Sequence, residues 1–438
     1  MDRYPYEVKA KVFGLIEEMG KHGWMFSKAG ERHFSRRRKL PFDRLIKVLL
    51  GMGGGSLKNE LLDAFHFSTE VPSVPAFIQQ RAKLSADAMP FLFSQIVEMF
   101  PCRTTIDGYR LLACDGSDLH YPSNPSETEN HFKTRPDIKG FNLLHLNALY
   151  DLCSKRYVDA IVQPRRKSDE VGAFITMIDR FQGDEKTIFT ADRGYECYNV
   201  LAHIQERGMK FLIRVKNPDH CGILKCLKLP VSQPFDLHFD LMLTRKQNKL
   251  VKQNPTLYRF LPSNVRFDFC DLLLQPFYPL SFRVSSVEVS PDKFEYLISN
   301  LDPHTFPVLR LKQLYHLRWD IETSFRHLKH TIGLTHFHSK KAEFVCQEVF
   351  ARLILYNLCE LIAAHAAVFH RTKSHVYQLN FSVAVHIVKQ ALFPLPDIPL
   401  PDVIFLIQRH LLPLRPERHN PRKVKFRSAV CFCYRISR

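Results

Sequence analysis

At 438 residues, with 45% apolar and 24% charged residues, the chain has the composition of a folded protein of two to three domains, which excludes general disorder. Lys and Arg number 62 against 44 Asp and Glu, a formal charge of +18 and a pI near 9.4, so a polyanionic partner is expected. No membrane role is expected: the longest apolar run, Val349 to Phe369, carries Arg352, Asn357, Glu360 and His365 and reads as a buried helix, and MDRYPYEVKAKVF has no signal-peptide core. The 11 cysteines form no CxxC pair, Cys221/Cys226 and Cys431/Cys433 coming nearest, so reduced thiols in the cytoplasm are expected rather than zinc.

Residues 1–103 read as helical, with apolar residues at helical spacing in Leu40 to Leu50, Leu57 to Phe67, Phe77 to Leu84 and on to Phe100. Gly51 to Gly55 and Val71 to Pro75 break the series, and the basic run Arg36, Arg37, Arg38 precedes it. Two short helices behind arginines fit a helix-turn-helix on DNA; pattern alone favours a small bundle with a solvated basic edge.

From residue 104 the pattern changes to short strand-like runs: Arg110 to Cys114, His145 to Leu152, Tyr157 to Val162, Thr187 to Ala191 and Phe211 to Val215. Helical patterns at Glu170 to Phe181 and Tyr198 to Arg207 separate the last three. With a long helix to follow, this element order is similar to that of an α/β ribonuclease-H-like core, here residues 104–216. Residues 217–303 exceed what that core needs; Phe282 to Val289 and Phe294 to Leu301 read as a hairpin with its turn at Ser290, Pro291 and Asp292. Residues 304–338 hold the closing helix, and 339–438 read as helical with a basic tail, Arg415 to Arg438, fitting either solvent or phosphate.

In the closing helix, Leu309 to His330, the residues Leu314, Leu317, Ile321, Phe325, Leu328 and then Ile332 fall within an arc of roughly 80° at ~100° per residue, one buried face. Tyr315, Arg318, Glu322 and Lys329 fall within about 60° of each other beside that arc. Pro307 suits the start of this helix and Gly333 its end.

Tyr, two residues, Arg, three residues, Glu, six residues, Lys is the YREK pattern, and in it the chain resembles the bacterial DDE insertion-sequence transposases, whose motif glutamate is the last of three catalytic carboxylates. Two aspartates upstream suit the other two places. Leu111 to Cys114 lead into Asp115 and Gly116, and Thr187 to Ala191 lead into Asp192, Arg193 and Gly194, so each acid is expected at the end of a buried strand. A lone Asp before Gly is usually a turn residue; two on neighbouring strands, with Glu322 on the helix across them, form a joint pattern. Asp118, in the turn expected after the first strand, and Asp107, Asp151 and Asp159 have no place in it.

The resemblance implies two Mg²⁺ ions, with Mn²⁺ able to replace them, held by Asp115, Asp192 and Glu322, with Asp115 bridging both. It also implies cleavage at the element's terminal inverted repeats and transfer of the 3′-OH to target DNA, by a homodimer on paired ends at the nucleoid. Tyr315, Arg318 and Lys329 would contact DNA near the cut, Arg318 by a two-point fork and Lys329 as a point charge. Trp319 is expected to be a packed aromatic. The amino-terminal helices, with Arg36, Arg37 and Arg38, would grip the element's end, and residues 217–303 would be a mainly β insertion. Some relatives hold a flipped base on a tryptophan in that insertion, whereas this chain has only Trp24 and Trp319; Phe267, Phe269, Phe277 or Tyr278 are the substitutes available. A nuclease that cuts without joining, or a DNA-binding regulator, are the alternatives.

Overall fold

Five helices precede the sheet: α1 (Tyr4–Lys21), α2 (Phe42–Gly51), α3 (Leu57–Ala64), α4 (Val74–Arg81) and α5 (Ala88–Met99). The glycine break after α2 is tied down by Glu60, whose two carboxylate oxygens accept from Gly53 N and Gly55 N, each at 2.7 Å. Ser56 and Ser73 cap α3 and α4 by accepting from the backbone N–H of Asn59 and Ala76. The computed structural model describes residues 2–35, 39–137, 139–219, 222–230, 234–290, 293–366, 377–395 and 399–413. Arg36, Arg37 and Arg38, the expected turn residues Pro291 and Asp292, and the basic tail beyond residue 413 lie outside the described residues.

Ten strands make one mixed sheet: β1 (Arg110–Tyr121), β2 (His131–Phe132), β3 (Phe141–Asp151), β4 (Arg156–Pro164), β5 (Thr187–Ala191), β6 (Lys210–Val215), β7 (Asp236–Thr244), β8 (Tyr258–Phe260), β9 (Phe277–Ser290) and β10 (Lys293–Ser299). The order runs β3-β1-β5-β6-β10-β9-β7-β8, with β2 and β4 both pairing with β3. β1 lies antiparallel to β3 and parallel to β5, and β5 is parallel to β6. The strands of residues 217–303 form no separate sheet. β10 pairs antiparallel with β6 and carries the central sheet outward through β9 and β7.

Strand periodicity decides which side chains meet which layer. Leu112 and Cys114 point to one face, into a core shared with α6 (Glu170–Arg180) and α7 (Tyr198–Glu206). Leu111, Ala113 and Leu119 point to the other, toward α9 (Val308–Leu317), α10 (Trp319–Arg326) and α11 (Ala342–Ala366), a short helix α8 (Lys249–Gln253) lying between β7 and β8. The first five helices belong to this second core, as do α12 (Phe381–Leu392) and α13 (Val403–Arg409). α11 is the one helix among the described residues long and apolar enough to cross a membrane, and it is mostly buried inside the fold.

Candidate active site

The expected single helix over Leu309 to His330 is three linked pieces. Pro307 caps α9 in an extended conformation, and at Arg318 the chain makes a tighter turn, Arg318 N donating to the Tyr315 carbonyl at 3.0 Å. After α10 a π-helical turn covers His327–Thr331, with Ile332 N reaching back to the His327 carbonyl. Gly333, at φ +94°, then lets Leu334 N close on the Leu328 carbonyl at 3.0 Å.

The tight turn corrects the helical wheel in one respect. Leu317, expected on the buried arc, is half-buried, while Arg318, expected on the polar edge, is 4% exposed and Tyr315 6%. The other arc residues, Leu314, Ile321, Phe325, Leu328 and Ile332, are buried. Trp319, expected to be packed, is 51% exposed, with the Arg318 guanidinium 5.4 Å from its ring centre.

Asp115 does not end its strand; β1 runs six residues further, and Asp118 lies within the strand rather than in a turn. The reason is asymmetric pairing. On the β5 side the ladder stops at Cys114↔Ala191, while on the β3 side it continues to Tyr121↔Asn142. Asp115 and Asp192 therefore each follow the last paired residue of two adjacent parallel strands. Period-two alternation after Leu111 and Ala113 turns Asp115 toward α10.

There the acids meet the helix. Arg318 donates to Glu322 Oε1 at 2.7 Å and its other terminal nitrogen lies 3.8 Å from Asp115 Oδ2. Burial pushes the Asp115 carboxyl up to about 6; the Gly116 N–H and Arg318 oppose the rise, while the charges of Asp192 and Glu322 add to it. Asp192 Oδ1 accepts from Gly194 N at 2.7 Å, fixing the acid at the start of the next turn. Burial pushes the Tyr315 hydroxyl up to about 12, while Arg318 and Arg214 pull the other way. The Arg318 guanidinium stays above its ordinary range: burial opposes its charge, but Tyr315, Glu322 and Asp115 outweigh it.

Asp115, Asp192, Glu322, Arg318 and Tyr315 are thus brought together. Lys329 joins them from the π-helical turn, its ammonium donating to the Asp118 carbonyl at 2.9 Å. Among the described residues no three His, Cys, Asp or Glu side chains stand close enough to cage an ion as they are. A guanidinium bridges two of the acids instead. Phe267, Phe269 and Tyr278 pack together on the α7 side of the sheet, the face away from Asp115, and Phe277 packs on Tyr258.

Residues outside the expected set also border the site. Arg214, paired with Glu295 at 2.9 Å, faces α9 because it alternates in phase with Leu212, a signal present in FLIRV. On the opposite face His145 is wedged between Asp118 Oδ1 at 2.6 Å and Glu170 Oε1 at 3.2 Å. A Cβ at Gly116 would come within 2.5 Å of His145 Nε2, so this position needs glycine for close approach rather than for a turn.

Comparison with known proteins adds the family. The chain is 33% identical over 141 residues to the transposase InsG for insertion sequence element IS4 of Escherichia coli (strain K12), a match spanning 30% of this chain and 31% of that relative. Among solved structures it is similar to the piggyBac transposase in a synaptic complex with hairpin DNA, with a TM-score of 0.45 and 11% identity, over 89% of this chain and 80% of that one. Residues 106–358, more than half of the sequence and spanning all three acids, match the transposase DDE domain, and the chain belongs to that family.

Proposed function

We propose that this protein is an insertion-sequence transposase of the YREK branch, which cuts DNA at the terminal inverted repeats of its element and joins the freed 3′-OH to target DNA. One observation carries the reading: Asp115 and Asp192 follow the last paired positions of adjacent parallel strands, and Arg318 links Asp115 to Glu322 on the helix packed across them. The order β4-β3-β1-β5-β6 supports a ribonuclease-H-like core extended by a β insertion.

The donor set fits a hard divalent cation. All three acids offer oxygen only, and the half-buried Asp115 carries a charge that burial and two neighbouring acids disfavour. Asp115, Asp192 and Glu322 would hold Mg²⁺ or Mn²⁺, which when bound activates an oxygen nucleophile and offsets charge at phosphorus. Arg318 and Lys329 bind phosphate oxygens beside the cut, Arg318 by its fork and Lys329 by its ammonium. Tyr315 braces Arg318 from beneath and excludes water. The amino-terminal helices and the basic tail supply sequence-independent grip, and a homodimer holds two ends.

The test uses purified protein and DNA carrying the sequences that flank its gene. Asp115→Asn, Asp192→Asn and Glu322→Gln each abolish metal-dependent cutting and retain gel-shift binding. A variant of these three that cuts at the wild-type rate removes its residue from the site. Cutting without joining reduces the protein to a nuclease, and binding without cutting to a regulator.

A further inference from the structure

We propose that an unpaired strand of DNA lies in a cationic trough along the Asp192 flank of the acids, between the C-terminal ends of β5 and β6 and the outer side of α9. The inference rests on the reading of those acids as a DNA-cutting site and names the form of DNA beside it.

Two cavities make the trough. The first, about 430 Å³, is lined by Arg193, Arg214, Lys216, Asn217, Phe294 and Tyr296. The second, also about 430 Å³, has Tyr315, Lys312, His316 and Trp319 in its wall. Arg214 and Glu295 border both, so their 2.9 Å ion pair is the sill between them.

Charge selects a polyanion. Arg193 directly follows Asp192, and neither it nor Lys216 makes an ion pair with any described residue. Glu295 is the one carboxylate in the wall of either cavity, and Arg214 already neutralises it.

The rings select an unpaired strand. Phe294 and Tyr296 present half-buried rings beside the three cations, and Trp319, on which Arg318 sits, stays half exposed in the second cavity. A duplex keeps its base faces stacked inside and offers such a wall only phosphates and base edges. A strand with free bases uses both the cations and the rings. The ends of parallel strands are also where α/β sheets leave room for ligands.

The experiment measures binding of fluorescent oligothymidine and of a blunt duplex of equal length, across a salt series in EDTA, for wild type, Arg193→Ala/Lys216→Ala and Trp319→Ala. The expected result is about a tenfold loss of oligothymidine affinity in the double variant, with the salt slope reduced by about 1.4, at ~0.7 per phosphate contact on a single strand. Trp319→Ala weakens the same ligand with its salt slope unchanged. Duplex affinity and melting temperature stay at wild-type values, because all three side chains are exposed. An equal loss on duplex and single strand, or no loss on either, overturns the trough. Because EDTA removes any catalysis, wild-type protein that never cuts DNA yet shows this difference would sink the cutting reading and leave the trough standing.

Discussion

Arg318 holds Glu322 at 2.7 Å and lies 3.8 Å from Asp115, so one buried guanidinium compensates two of three crowded acids. Taking it away leaves their charges facing each other. In EDTA, Arg318→Ala should lower stability by about 1–2 kcal/mol, a figure reduced for the partial exposure of Glu322. Millimolar Mg²⁺ should narrow the gap, since a bound cation would take over the compensation. Thermal melts with and without Mg²⁺ check this; a deficit that Mg²⁺ does not touch would argue against a metal between these acids.

Asp115 gives a pH dependence with a definite sign. Its folded value, about 6, lies above the ordinary carboxylate value of 3.8, so between those two pH values the folded protein holds the proton and the unfolded chain does not. The metal-free protein therefore loses stability as pH rises from about 4 to about 6, by up to ~3 kcal/mol, and the cost stays in place above that. Asp115→Asn removes the cost. In EDTA it should be more stable than wild type at pH 7.5 and equal to it near pH 4, measured by urea unfolding; an Asn variant no more stable at pH 7.5 would contradict this.

Much of the core was legible because it follows periodicity. Thr187–Ala191 is a strand with the expected bounds, and five of six residues on the arc of the closing helix are buried. What the sequence could not show is where a strand ends when one neighbour stops and the other continues. Asp115 sits beyond its last β5 partner yet inside a strand that pairs with β3, so an apolar run ending in an acid misplaces the strand's end. The swap of Leu317 and Arg318 has a similar origin. A 100° wheel assumes one helix, and the tight turn at Arg318 and the π-helical turn at His327–Thr331 both break that assumption. The joining of residues 217–303 to the main sheet was also hidden, since pairing of β10 with β6 joins residues about eighty apart in sequence.

Another acid has the opposite sign. Glu348 on α11 bonds Arg81 of α4 at 3.0 Å and His338 at 3.1 Å, all three buried, and so ties the amino-terminal helices to the second core. Burial works against its charge, but His338 and Arg81 outweigh it and hold the carboxyl down to about 2. Its folded value lies below the ordinary 4.5, so it contributes up to ~3 kcal/mol that is present above pH 4.5 and lost as pH falls toward 2. Glu348→Gln should cost about 3–5 kcal/mol at pH 7 by leaving Arg81 buried without its counter-charge, and should flatten the acid limb of the stability curve. An acid limb identical to wild type would show that other carboxylates set it.

Lys329 is the motif residue whose role the geometry divides most sharply. Its ammonium donates to the backbone carbonyl of Asp118, three residues along β1 from Asp115, so it braces the strand that carries the first acid. It also stands on the π-helical turn, four residues past Arg326, where an ammonium can trade a carbonyl for a phosphate oxygen. Two variants separate these roles. Lys329→Met keeps the apolar stem and loses the charge, and should slow end cleavage and joining together by about 10- to 100-fold, with binding to random duplex unchanged. Lys329→Arg keeps a charged donor and should recover most of the rate if phosphate is the partner that matters, because a guanidinium also binds phosphate. If bracing β1 is the whole role, both variants should lower the melting temperature to a similar degree and slow the reaction in proportion, since a planar fork does not fit the single carbonyl that the ammonium now occupies. Melting, cleavage and joining on matched inverted-repeat DNA decide between them. Met and Arg variants that both melt and react like wild type would remove Lys329 from the site.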